Sequence, residues 1–241
     1  MNPDIVAEIA TTGALRAAIN LGNPLLVTGA TPAGEPTGVA PDMARAIADK
    51  LAVGVSYVTF ATPGEIADAA VDDVWDICLI AAEPKRAETI AFTPAYVEIE
   101  ATYLVPAGSS IRSVEEVDQP GTRIAVSGRS AYDLYLTRSL QHAELHRAKG
   151  LKGAFELFLA DKLDALAGLR PALADNAAEL PGARVLAGRF TAVQQAIGTK
   201  PQNKAARMFL DGFVGEAKAS GFVASLIDKH GVTGRLQVAS P

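Results

Sequence analysis

The chain has 241 residues, 49% hydrophobic and 20% charged, with a net charge of -5. That supplies enough apolar surface for one large or two small packed domains and excludes a disordered chain. The scattered Lys and Arg form no basic stripe for phosphates, which argues against a nucleic-acid binder. The apolar runs fall far short of a membrane span. The opening MNPDIVAEIATTGALRAAIN has no cationic region followed by an apolar one, so no secretory leader is read in it. On that reading the protein either stays in the cytoplasm or has already lost a leader. Cys78, the one cysteine, sits in DICLIA and reads as a small buried apolar residue.

In chain order, LRAAIN (15–20) and VSYVTF (55–60) read as short strands buried in a parallel sheet. Between them PDMARAIADKLA (41–52) places Met43, Ala46, Ile47 and Leu51 at helical spacing, with Pro41 in the first turn. GEIADAAV reads as a second helix leading into the strand DICLIA. YVEIEATYLVPAG (96–108) alternates polar and apolar residues and reads as an extended ordered strand, as does FTAVQQAIGTK (190–200). Between those two, TRIAVS, GRSAYDLYLTRSL, ELHRA, LKGAFELFLADK, LDALAGL, PALADNAAEL and RVLAG form a second α/β series. Two helical segments, NKAARMFLDGFVGEAKA and GFVASLIDKH, follow the second crossing. The chain therefore leaves its first half, builds a second, and returns. Two lobes are expected, 1–99 plus 195–241 and 100–194, hinged near 99–104 and 191–196, with the cleft between them as the natural ligand site.

AAEPKRAETIAFTPAY raises the functional question, because Lys85 and Arg86 follow a proline close after the buried run ICLIAA. The ordinary reading is a solvated turn; the other is a cation delivered by a strand end to a ligand. The order GVAPDMARAIADKL, WDICLIA, KRAETIAFTPAY, IAVSGRSAYD and ADKLDALAG resembles the family 3 extracellular solute-binding proteins of ABC transporters, from about Leu15 to His230. The resemblance implies a type II periplasmic-binding-protein fold, an α/β architecture of two lobes joined by two crossing strands. It also implies a small-molecule carboxylate ligand, ABC transporter membrane subunits as partners, a periplasmic location where a leader has been removed, a monomer, and no cofactor.

By the same resemblance Arg86 pairs with the ligand carboxylate, which suits a planar guanidinium fork that never loses its charge. Lys85 has no match and reads as solvated. In SGRSAYDLYL, Gly128 permits a close backbone approach, Arg129 follows, and Ser130 opens a helix with Asp133 three residues on. Free amides at a helix start bind anions. Ser130 reads both as the cap of its own helix and, by resemblance, as a hydroxyl on the ligand carboxylate, and the two roles are compatible. Ala81 at the strand end and Tyr132 beside the anion turn complete the lining; Tyr135, Trp75 and Tyr96 read as packing residues. Amino-acid binders of the family usually hold the ligand ammonium with acids at positions that here read Asn20 and Leu169, with Arg170 next. An unpaired ammonium in a cleft is costly, so the expected ligand is a small organic acid without a free α-ammonium, with a second acidic or polar group near Arg170.

Catalysis is the competing class. His142, His146 and His230 lie in no nucleophile or metal pattern, and HAELH offers two histidines four apart with no further ligands. No catalytic or metal-binding residue is therefore assigned. The same fold supports cofactor-free dehydratases of the cyclohexadienyl type, for which Glu83 is the carboxylate near Arg86; a ligand sensor that feeds no transporter is a further alternative.

Overall fold

A computed structural model of the protein describes residues 3–240; Met1, Asn2 and Pro241, at the ends of the expected first lobe, lie outside the described residues. The elements in chain order are α1 (Pro3–Ile9), β1 (Ala14–Asn20), β2 (Gly29–Ala30), β3 (Pro36–Thr37), α2 (Val39–Lys50), β4 (Gly54–Phe60), α3 (Pro63–Asp68), β5 (Ile77–Ala81), β6 (Ala91–Phe92), β7 (Val97–Val105), β8 (Arg123–Ser127) and α4 (Ala131–Ser139). They continue with β9 (Glu144–Ala148), α5 (Gly150–Ala160), β10 (Ala165–Leu169), α6 (Arg170–Glu179), β11 (Arg184–Val185), β12 (Thr191–Thr199), α7 (Lys204–Ala219), α8 (Phe222–Lys229) and β13 (Gln237–Val238). The chain divides into two compact units, Met1–Glu98 with Gln194–Pro241 and Ile99–Val193. It passes from the first to the second within β7 and returns within β12.

In the first unit the strand order is β4-β1-β5-β12, with β1 parallel to both β4 and β5 and β12 antiparallel to β5. Helix α2 starts at Pro41's turn because Gly38 caps it at φ 147, where a Cβ would lie 2.2 Å from the Leu26 carbonyl. Helix α3 has a full capping box, Thr62 Oγ1 accepting the Glu65 amide while the Glu65 carboxylate accepts the Thr62 amide. Its core joins Ala18, Ile66, Trp75, Cys78, Ile80 and Ile90. Trp75 is buried and donates Nε1–H to the Ile66 carbonyl at 3.2 Å. One expectation changes: VSYVTF forms β4 but lies at the sheet edge, its residues exposed or half-buried rather than buried.

In the second unit the order is β7-β10-β8-β9, with β10 and β9 parallel to β8 and β7 antiparallel to β10. Leu104, Ala125, Ala154, Phe158, Leu163, Leu166 and Leu173 form its core. RVLAG supplies only the two-residue β11, paired to the end of β7. Neither the short α1 nor the β2–β3 hairpin was legible as an element, since both lack an apolar period long enough to read.

Candidate ligand-binding site

In open α/β sheets, ligands bind beyond the carboxyl ends of the parallel strands. In the first unit those ends are Asn20 on β1 and Ala81 on β5, neighbouring strands in register at Ile19 and Leu79. The chain after Ala81 turns back on itself: the Ala87 amide bonds the Glu83 carbonyl at 2.9 Å, the Lys85 amide bonds Glu83 Oε2 at 3.0 Å, and Arg86 opens a single 3₁₀ turn. That geometry separates the two cations. Lys85 reaches solvent and pairs with Glu88 at 2.6 Å, whereas Arg86 is 4% exposed and donates from Nη1 to the Ala81 carbonyl at 2.8 Å. Glu83, 5% exposed, is buried in the same loop. A buried guanidinium is stable only where acceptors or an anion answer its charge. Burial pushes the Cys78 thiol up to about 12, partly offset by the Arg86 charge. Asn20 has its side-chain oxygen on the Gly22 amide at 3.0 Å.

In the second unit β8 ends at Ser127 and a tight turn leads into α4, closed by the Ser130 amide on the Ser127 carbonyl at 3.2 Å. Arg129 sits at φ 61, a left-handed conformation that costs a non-glycine residue about 1 to 2 kcal/mol. Asp133 holds it there, accepting the Arg129 amide on Oδ2 at 2.6 Å and Arg147 Nε on Oδ1 at 2.9 Å. Ser130 caps α4, its Oγ accepting the Asp133 amide at 3.1 Å. Tyr132, in the first turn, is 3% exposed.

Two expectations are revised, the free amides of the 128–130 turn and the ligand role of Arg170. The amides of the 128–130 turn are all engaged within the unit, Gly128 on the Ala148 carbonyl at 2.9 Å and the other two as above, so the turn itself offers no free amide to an anion. At Gly128 an added Cβ would meet only ordinary contacts, Ala148 O at 3.5 Å and Arg147 Cβ at 3.6 Å, so no close approach within the chain demands the glycine. Arg170 begins α6 directly after β10, yet its guanidinium binds Glu100 Oε2 at 2.7 Å, the Leu186 carbonyl at 3.2 Å and the Gly188 carbonyl. Its charge is answered by the molecule itself, leaving no basis for a second acidic ligand group there. Leu169 is buried and apolar. Sequence reasoning did not single out Ser127, Asp133 as an anchor, or Arg147; a polar residue closing a buried strand was the one signal for Ser127.

His230 Nε2 lies 2.8 Å from Asp42 Oδ2, with Thr28 Oγ1 3.4 Å from Nδ1; His142 and His146 lie in the second unit. Among the described residues no group of three or more His, Cys, Asp or Glu is arranged to hold a metal ion. No described helix is long and apolar enough to cross a membrane.

The family model of the bacterial extracellular solute-binding proteins, family 3, matches residues 15–233. The chain belongs to that family. Among solved structures of similar fold are the solute receptor for L-cysteine of Neisseria gonorrhoeae, at 19% identity over 98% of this chain and 99% of that one with a TM-score of 0.80. An amino acid ABC transporter substrate-binding protein of Streptococcus pneumoniae bound to L-arginine aligns at 20% identity over 98% and 99%, TM-score 0.76. An ancestral amino acid-binding protein, precursor of cyclohexadienyl dehydratase, aligns at 21% over 93% and 97%, TM-score 0.76. No curated protein matches the chain in sequence. At these identities the likeness shows the fold, that of the type II periplasmic binding proteins, and this solute-binding family member shares it.

Proposed function

We propose that this family member binds a small carboxylate-bearing solute, with contacts from both units, and closes on it as the substrate-binding component of an ABC transporter in the periplasm, acting as a monomer. The observation that carries the reading is Arg86, a guanidinium buried in the loop that follows the carboxyl end of a parallel strand and bonded to the Ala81 carbonyl there; its planar fork suits a carboxylate. Ser130 supplies the hydroxyl from the second unit. Neither Asn20 nor Leu169 is an acid, so a ligand ammonium would meet no carboxylate at those positions; the ligand is an organic acid lacking a free α-ammonium, although relatives of this fold bind L-arginine and L-cysteine.

Calorimetry on Arg86→Ala tests this. Losing one partner of a buried charge pair costs about 2 to 5 kcal/mol out of the roughly 8 kcal/mol of a micromolar ligand, so binding falls below detection while the fold survives. Unchanged affinity would return Arg86 to a structural role. Competition between amino acids and their 2-oxo and 2-hydroxy counterparts decides the ligand class, tighter amino acids throughout refuting it. Small-angle scattering with and without ligand tests closure through a smaller bound radius of gyration. A second reading, cofactor-free dehydration, has one observation behind it: Glu83 is buried in the same loop as Arg86, and turnover of prephenate or arogenate would establish that reading.

A further inference from the structure

The chain leaves the first unit between Glu98 and Ile99 and re-enters it between Val193 and Gln194. A third segment meets the strand at that exit. The C-terminal strand β13 lies antiparallel to the start of β7, Val238 opposite Val97 and Gln237 opposite Glu98, and the Ala239 amide bonds the Tyr96 carbonyl at 3.1 Å. Hydrogen-bonded pairs alternate along an antiparallel ladder, so the Gln237 amide faces β7 as the Ala239 amide does. Strand β10 takes up β7 only over 101–104. Ile99 and Glu100 fall between the two registers, partnered by neither β13 nor β10.

Two residues of strand are too few to hold a chain end by themselves, and termini stay loose unless tied down. Here the tie is built from both sides. Leu236 before β13 and Ala239 after it are buried. Lys218, in the last turn of α7, donates from Nζ to the Ser240 carbonyl at 2.9 Å and to the Ala95 carbonyl at 3.3 Å, so one ammonium holds the tail and the residue before Tyr96 together. Gln194, at the re-entry point, donates from its side chain to Glu98 Oε2 at 2.9 Å. Tyr96, Val97 and Glu98 are thereby fastened to the first unit. A hinge is a few residues that absorb a change in φ and ψ, and a strand held up to Glu98 by one partner and from Ala101 by another leaves two residues for that change.

We infer that β13 is a strap that confines bending of the crossing strand to Ile99 and Glu100, and so sets ligand affinity from outside the binding site. This rests on the closing reading above. With the strap fastened, the unliganded protein samples few arrangements; with it released, the protein samples more, and a ligand must select the closed one from a broader set.

The test uses the full chain with Lys218→Met, which keeps the stem and removes the cation, and Gln237→Pro, which removes the amide from the ladder. Both are measured by calorimetry well below their melting temperatures, beside wild type and Arg86→Ala, against glutamate, 2-oxoglutarate, 2-hydroxyglutarate, alanine, pyruvate and lactate. The tightest acid is expected to bind each strap variant about three- to tenfold more weakly, while small-angle scattering at saturation returns the wild-type bound radius of gyration. Lys218→Met decides the matter if Gln237→Pro folds poorly. Wild-type affinity in the folded variants, with only their melting temperatures lowered, overturns the inference and leaves the tail a packing element; tighter binding overturns it too. Wild type that binds an acid with no change in radius of gyration refutes closure and the strap with it, while loss of binding in Arg86→Ala still upholds the carboxylate reading. If wild type binds none of the six acids, both readings fall.

Discussion

The two units carry the same clamp in different surroundings. In the first, Arg16 on β1 faces Asp76 just before β5: Asp76 Oδ2 accepts the Arg16 amide at 2.8 Å and Nε at 3.1 Å, and the Asp76 amide returns to the Arg16 carbonyl at 2.9 Å. In the second, Arg123 on β8 faces Asp164 just before β10 with almost the same numbers, 2.8 Å and 3.2 Å, and the Asp164 amide on the Arg123 carbonyl at 3.0 Å. In both, the guanidinium also reaches the loop before the acid, the Asp73 carbonyl and the Lys162 carbonyl, at residues with φ 52 and 47. The clamp fixes the register of a parallel strand pair, whose carboxyl ends are where the candidate site lies. The difference is burial: the side chains are 22% and 4% exposed in the first unit and 41% and 40% in the second. One geometry repeated at two depths separates what a charge pair contributes by shape from what it contributes by dielectric.

The units also differ at their strand ends. The first unit buries Arg86 in the loop after β5, whereas in the second Arg147 pairs with Asp133 and Arg170 with Glu100.

The sharpest way to break the comparison is to remove both acids in turn. Asp76→Ala leaves a half-buried Arg16 without its buried partner and is expected to lower unfolding free energy by about 3 to 5 kcal/mol. Asp164→Ala, at an exposed pair, is expected to cost about 1 kcal/mol. Chemical denaturation of the two variants checks this, and equal losses would mean that register, not dielectric, sets the value. A smaller effect compares helix starts: Thr62→Ala in α3 and Ser130→Ala in α4 each lose an N-cap, costing about 1 kcal/mol of stability. Only the second is expected to weaken ligand binding in calorimetry.

The smallest effect is acid sensitivity, one anchor from each unit. Asp118 in the second unit accepts the amides of Gln141, His142 and Ala143; burial opposes its charge, but the amides hold its carboxyl below the usual 3.8. Asp42 in the first is likewise lowered, burial being outweighed by Lys229 and His230. A depressed folded pKa contributes stability that is present above the unfolded value and lost as pH falls through the folded one. Denaturation midpoints of Asp118→Asn and Asp42→Asn are therefore expected to sit below wild type at pH 6 and to converge with it as the pH drops below about 4. A gap that persists in acid would assign the loss to hydrogen bonding alone.

Much of this was legible in the sequence because the signals are local. Apolar runs ended by Asp, Gly and Pro located β1, β5, β8 and β10, helical periods located α2, α5, α7 and α8, and the motif order carried the family. Ser130 followed by Asp133 gave the α4 cap, the Asp133 amide on Ser130 Oγ, though the Asp133 carboxylate accepts the Arg129 amide rather than that of Ser130. The tertiary structure decided what depends on depth and on partners far apart in the chain. It separated Lys85 from Arg86, because a single 3₁₀ turn sends neighbouring side chains to opposite environments. It put VSYVTF at an edge, since a composition that suits a central strand also suits a half-covered one. It tied Arg170 to Glu100, 70 residues away, and buried Tyr132 in the first turn of α4. Residue type and spacing fix which groups are available, but whether a group is engaged is set by distance and dielectric, and those exist only once the chain has folded.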